Sequence, residues 1–129
     1  MTAHIDIVRA HYAASAQGNI DEMMAHVSPQ VRWAEMAGFP CAGEWIGPQA
    51  VVDNVFAVLG RDWMGYRFEL ESLIDAGDQV VAVGTYFGTY RATGEEMRAR
   101  VAHVWKLQDG QIVGFEQFTD TLLVNQAMT

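Results

Sequence analysis

The sequence predicts a segregated α+β domain, with helices first and a curled antiparallel sheet after them. Three observations predict it. Up to about residue 60 the apolar residues recur mainly at helical spacing. From Tyr66 onward they fall in strand-like runs separated by Asp75-Ala-Gly77-Asp78, Thr93-Gly94 and Asp109-Gly110. Helices gathered ahead of strands, rather than alternating with them, pack on one face of a sheet.

Ile5, Val8 and Tyr12 share a helical stripe while Asp6, Arg9 and Gln17 face water, so Ala3 to about Gln17 is the first helix. Gly18 ends it. Asn19 caps a second helix, with Glu22 placed for a reciprocal bond and Ile20, Met23, Met24 and Val27 as its buried side, up to Pro29. Val31 to Glu35 reads as a short strand, followed by an irregular stretch from Met36 to Gly43. Gly47-Pro48 opens a third helix, apolar on much of its circumference through Val51, Val52, Val55, Phe56, Val58 and Leu59. Tyr66–Ile74, Val80–Tyr90, Met97–Leu107 and the run after Gly110 form an antiparallel meander. Asp120-Thr-Leu-Leu-Val-Asn-Gln forms a last helical turn or a tail against the core.

The 129 residues fit one domain, residues 1–129, with enough chain for a real core. Sixteen acidic residues against eight basic give a net charge of −8, which repels phosphate backbones and anionic lipid. Neither nucleic acid nor a membrane is therefore an expected partner. Cys41 is the lone cysteine and forms no intrachain disulfide, and the first residues lack a signal-peptide pattern, so a soluble, cytoplasmic protein is expected. His4, His11, His26 and His103 stand at no zinc-type spacing and no glycine-rich phosphate loop is present, so neither metal nor cofactor is expected.

The chemistry concentrates in the hairpin turned by Asp109-Gly110, a dipeptide suited to the positive φ angles of a tight turn. Alternation puts Val101, His103, Trp105 and Leu107 on one face. On the return strand Ile112, Gly114, Glu116, Phe118 and Asp120 share a face if no bulge intervenes; a bulge near Gly114 would reverse part of that assignment. Each candidate has a structural competitor. A histidine in an apolar row is commonly a core residue bonded to a neighbour, an aspartate where a strand turns into a helix is a natural N-cap, and Glu35 and Glu116 suit a solvated rim.

The order helix, helix, short strand, helix, curled meander carries several local patterns. They are Tyr12-Ala-Ala-Ser-Ala-Gln-Gly18-Asn-Ile-Asp-Glu, Val31-Arg-Trp33, Gly43-Glu-Trp45-Ile-Gly47-Pro-Gln-Ala-Val, His103-Val-Trp105-Lys-Leu-Gln-Asp-Gly-Gln-Ile and Phe118-Thr-Asp120. Together they resemble the nuclear-transport-factor-2-like superfamily, and within it the SnoaL-like polyketide cyclases and ketosteroid isomerases. The resemblance implies a cone-shaped, strongly curved antiparallel sheet wrapped around the N-terminal helices and enclosing an apolar pocket. It implies a polar group at the position of His103, an acid/base group at Asp120 as in the cyclases, and a base after the first strand, where the isomerases keep an aspartate and this chain has Glu35. It also implies a homodimer, to which an outer sheet face bearing Tyr90, Val104 and Val113 would lend itself.

The expectation is a cofactor-independent acid/base enzyme acting on an apolar carbonyl compound, by proton abstraction with cyclisation or isomerisation. Such chemistry needs a base and a hydrogen-bond donor for the enolate oxygen, both in a dry pocket. Asp120 or Glu35 is the candidate base and His103 its partner or the donor. Tyr12, Trp33, Phe39, Trp45, Phe56, Trp63, Tyr86, Val101, Trp105 and Phe118 are the candidate wall for an apolar small molecule. The alternative is a non-catalytic ligand-binding or dimerisation module of the same fold.

Overall fold

The computed structural model describes residues 3–129. The reading of the chain start begins at Met1 and Thr2, which lie outside the described residues. Helix α1 (His4–Ala16) buries Ile7, Val8, His11, Tyr12 and Ala14. It ends where Gly18 takes φ +67°, so that the N–H groups of Gly18 and Asn19 return to the carbonyls of Ser15 and Ala14, both at 3.0 Å. Asn19 then caps α2 (Ile20–Met23) by accepting from the Glu22 N–H at 3.1 Å. The expected reciprocal bond is replaced, because the Asn19 N–H is already committed to Ala14.

Helix α2 is shorter than the apolar spacing predicts. Val27 leaves the helical stripe and opens strand β1 (Val27–Glu35), where it sits opposite Ile112. Pro29 thus lies within β1 rather than at a helix end, in the stretch between Val27 and Arg32 where the pairing register is broken and no ladder donor is demanded of it. After a turn, β2 (Gly43–Ile46) pairs back onto β1, so the irregular stretch ends in a short edge strand. Helix α3 (Pro48–Val51), a single π-turn (Val52–Phe56) and α4 (Ala57–Asp62) form one continuous helical segment.

Strands β3 (Trp63–Asp75), β4 (Gln79–Tyr90), β5 (Glu96–Gln108) and β6 (Gln111–Thr119) follow, and α5 (Thr121–Met128) closes the described chain. The six strands make one curved, unclosed sheet in the order β2-β1-β6-β5-β4-β3. Neighbours are antiparallel except β1 and β6, which run parallel. One irregularity governs the interior. Lys106 lies opposite Gly114 but Leu107 lies opposite Ile112, so Val113 is an extra residue in β6.

The sheet's concave face and the helices bury a single cluster that includes Val8, Trp33, Val55, Trp63, Trp105 and Ile112. Each such side chain contributes on the order of 1.5–3 kcal/mol of transfer free energy. Trp33 stacks on Phe115 with centroids 4.0 Å apart and meets Trp105 edge-on at 5.5 Å. Tyr90 faces inward and packs on Trp63 at 4.9 Å, which corrects its expected place on the outer face; Val104 and Val113 do lie outside, half-buried. Among the described residues no helix is long and apolar enough to cross a membrane.

Gly84 in β4 marks the tightest approach inside the sheet. A methyl group there would lie 2.3 Å from the Glu69 carbonyl oxygen and 2.6 Å from the Phe68 ring. Because one obstacle is backbone, Gly84→Ala is expected to cost about 2–4 kcal/mol, measured as a lowered urea midpoint, whereas the same change at open Gly60 stays within about 1 kcal/mol.

Candidate active site

A cavity of about 580 Å³ opens between α1, α2, the π-turn and the concave face of the sheet. His11 and Tyr12 come from α1, Trp33 and Glu35 from β1, Phe56 from the π-turn, Tyr66 and Phe68 from β3, Tyr86 from β4, His103 and Trp105 from β5 and Phe115 from β6. Its mouth is edged by the exposed Arg67 and Glu69, which pair with each other at 2.9 Å. A second hollow of about 640 Å³ on the outer side, among Met64, Arg67, Phe87 and Arg98, is shallow and carries no buried titratable group.

The centre of the wall is a hydrogen-bonded row. Tyr12 and Tyr86 bracket the His103 ring, with the Tyr12 hydroxyl 2.6 Å from Nδ1 and the Tyr86 hydroxyl 2.6 Å from Nε2. Trp105 Nε1–H donates to the Tyr12 oxygen at 2.8 Å, and Gln117 Nε2–H donates to the Tyr86 oxygen at 2.8 Å. The Gln117 amide orientation follows from its other end, where Oε1 accepts the Met36 N–H at 3.3 Å. Burial, reinforced by nearby His11, holds the His103 pKa down at about 3, so the ring is neutral and carries one N–H and one lone pair. One tyrosine therefore donates to the ring and the other accepts from it. The accepting tyrosine keeps its own hydroxyl proton, and that proton can serve a bound molecule.

Glu35, at the end of β1, has its side chain buried on the same wall. Its Oε2 has no hydrogen-bond partner among the described residues, and neither has Trp33 Nε1 nearby. Burial pushes the Glu35 pKa up to about 8; the Trp33 indole acts the other way but falls outside hydrogen-bonding geometry and offsets only part of the shift. At neutral pH Glu35 is mainly a carboxylic acid, and it becomes a base at mildly alkaline pH.

The other expected site residues separate cleanly. Tyr12, Trp33, Phe56, Tyr86 and Trp105 line the cavity, as do His103 and Glu35. Asp120 does not. Its exposed side chain caps α5 by accepting from the Leu123 N–H at 3.2 Å, and it makes no contact with His103, whose two ring nitrogens are taken by Tyr12 and Tyr86. Phe118 is 44% exposed on the outer face. Both corrections have one cause: the extra residue Val113 flips the parity of β6, so Phe115 and Gln117 turn inward opposite Trp105 and His103 while Glu116 and Phe118 turn out. Phe39, Trp63 and Val101 are buried in the core without lining the cavity, and Trp45 is tied to the Cys41 carbonyl at 3.1 Å outside it.

Phe115, Tyr66, Phe68 and His11 are wall residues that the sequence did not single out, and neither was Gln117, which lies fully buried behind the wall and supports Tyr86. Tyr66 and Phe68 carry the alternation of an inward strand face and were findable; Gln117 required knowledge of the bulge.

The sequence matches the SnoaL-like domain family over residues 8–115. Among solved structures, an NTF2-like protein of Burkholderia thailandensis shares 54% identity over 100% of this chain and 99% of its own, with a TM-score of 0.99. An NTF2-like protein of unknown function from Burkholderia pseudomallei shares 24% identity over 100% and 99% of the two chains, with a TM-score of 0.91. TerC, co-crystallised with polyporic acid, shares 24% identity over 96% of each chain, with a TM-score of 0.86. The last two establish the shared nuclear-transport-factor-2-like fold. No curated protein matches the sequence.

The raised Glu35 pKa makes a signed prediction about stability. Between pH 4.5, the carboxyl's ordinary value, and about 8 the folded chain holds a proton that the unfolded chain releases, so raising the pH favours unfolding. The stabilising contribution is complete below pH 4.5 and lost as pH passes about 8, a change on the order of 3–5 kcal/mol. His11 and His103, depressed to about 4 and about 3, act oppositely, adding stability as pH rises to 6.5. Glu35→Gln isolates the carboxyl: urea midpoints at pH 5 and pH 8 should show the variant gaining relative to the native chain at the higher pH. Parallel pH curves would show that Glu35 ionises normally in the folded protein.

Proposed function

We infer that this chain, which belongs to the SnoaL-like domain family, is a cofactor-independent acid/base enzyme acting on an apolar small molecule that contains a carbonyl group. The family includes polyketide cyclases and isomerases. The single observation that carries the reading is the buried Glu35 carboxyl, with an unpartnered oxygen on the wall that also holds the Tyr12–His103–Tyr86 row.

Glu35, once ionised, takes a proton from the carbon beside the substrate carbonyl. A pKa near the working pH suits this task, since a weaker base abstracts poorly and a stronger one is seldom free. The spare hydroxyl proton of the tyrosine row donates to the developing enolate oxygen, in a site walled largely by aromatic rings. Glu35 then returns the proton to a different carbon for isomerisation, or, for cyclisation, gives it to the alkoxide oxygen that forms when the enolate carbon attacks a second carbonyl. Asp120, expected from the cyclases to be the acid/base group, has no part in this scheme because it is engaged at the α5 cap.

A second reading, binding without catalysis, is favoured by the saturation of His103, whose two nitrogens are both engaged within the protein. In either reading a homodimer is proposed, with a second copy covering the outer face that bears Phe118, Val104 and Val113.

Deuterium exchange at the α-carbon of 2-tetralone, followed by NMR, separates the readings. The native chain should accelerate exchange, with a rate that rises with pH and levels above about 8. Glu35→Gln should lower it by about 10²–10⁴-fold, and Asp120→Asn should leave it within about twofold. Exchange undiminished in Glu35→Gln removes Glu35 from the chemistry, and exchange lost in Asp120→Asn would restore Asp120. Light scattering in solution should give twice the 14.3 kDa chain mass, and Phe118→Glu should shift it to one.

A further inference from the structure

His11 is a buried, titratable cavity residue for which the scheme above has no use. It sits one position before Tyr12 on the inward stripe of α1, with its ring 4.6 Å from Trp105 and 5.3 Å from Tyr12, both edge-on. Its Nδ1 lies 3.0 Å from the Met23 carbonyl oxygen in α2. A carbonyl can only accept, so the ring proton resides on Nδ1. A neutral imidazole has one N–H, which leaves Nε2 with an open lone pair. No described residue donates to Nε2, and His11 is itself part of the cavity lining, which leaves this nitrogen as the ring's open acceptor on that wall.

This nitrogen is placed as few acceptors are. The turn after Gly18 brings α2 back against α1, and the Met23 carbonyl holds the imidazole in a single tautomer before any ligand arrives. Around it stand aromatic rings, which supply contact area but no competing donor directed at Nε2. A bound apolar molecule without a donor would cover Nε2 and strip it of water at a cost, while one with a hydroxyl would satisfy it. Burial holds the ring's pKa near 4, which keeps Nε2 an acceptor through the neutral range.

We propose that His11 is a specificity-determining residue whose Nε2 accepts a hydrogen bond from a hydroxyl of the bound molecule, so that this cavity selects phenolic or enolic aromatic compounds over their ethers. The inference deepens the proposed function by naming a substrate class, and rests on it only for the place where the molecule binds. The carbonyl engages the tyrosine row and the hydroxyl engages His11, which fixes the substrate at two points on one wall.

The test is a fluorescence titration with 2-naphthol and 2-methoxynaphthalene, which share a ring system and differ in the hydroxyl proton. The ratio of their affinities should fall about 5–10-fold from the native chain to His11→Phe, with the affinity for the ether changed less than about twofold. Asp120→Asn, at the α5 cap and outside the cavity lining, should keep the native ratio. Should His11→Phe fail to fold, spectra of the native chain labelled with ¹⁵N-histidine serve instead: the His11 Nε2 resonance should shift on adding 2-naphthol and hold its place with the ether. A ratio unchanged by His11→Phe, a silent Nε2 resonance, or no binding of either probe would overturn the proposal. Because no step requires turnover, a chain that binds by this rule yet exchanges no α-protons would sink the enzymatic reading alone.

Discussion

A neutral imidazole offers one proton and one lone pair, and His103 finds a phenol at each. That stoichiometry organises the interior. The ring lies among Phe68, Phe115 and Trp105, where charge is disfavoured, so it stays neutral and the two phenols must divide the roles of donor and acceptor. Helix α1, strand β4 and strand β5 are tied through three side chains. The row extends through Trp105 at one end and Gln117 at the other, and Gln117 reaches the Met36 backbone next to Glu35. The acid on β1 and the donor tyrosine, on α1 or β4, are thereby held relative to each other by protein groups alone, so neither must reorganise when a molecule enters.

The bulge at Val113 makes this row available. Without it, His103 would face Glu116 across the hairpin; with it, the partner is Gln117, whose two-ended amide can join a backbone N–H to a phenol. A carboxylate in that position would add a second buried acid close to Glu35 and push both away from ionisation. The bulge also frees Asp120 to begin α5 as its cap, so the end of β6 serves folding while the end of β1 carries the acid. Gly84 plays the complementary part on the other side of the ring: its missing side chain lets Phe68 lie against His103, with centroids 4.7 Å apart.

The cavity therefore presents three polar functions on an aromatic wall, each left open for a different reason. The tyrosine row has one surplus proton because imidazole can accept only one. Glu35 has an open oxygen because the strand carries it into the interior without a cation or donor to meet it. His11 has an open lone pair because α2 fixes its proton elsewhere. The arginine in the cavity lining, Arg67, is engaged at the mouth by Glu69.

By itself, the sequence determined the order of the main helices and strands, the turn at Asp109-Gly110, the cap at Asn19, the inward placing of His103 and Trp105, and the family resemblance. All of these rest on local spacing and turn chemistry, which are written in consecutive residues. It also marked Tyr12, Trp33 and Tyr86 for the wall, since large aromatics on a half-buried face leave few other places to go, whereas Glu35 was pointed to by the family resemblance alone. Tertiary structure alone decided the parity of β6, because a single unpaired residue is invisible to a period-two pattern and reverses every side chain beyond it, exchanging Asp120 and Phe118 for Gln117. Pairing across the fold likewise turned Val27 from helix to strand, when Ile112 on β6 offered it a partner that the helix could not. The open valences of Glu35 and His11 belong to the same class, since whether a buried polar atom is satisfied depends on groups brought near it by distant parts of the chain.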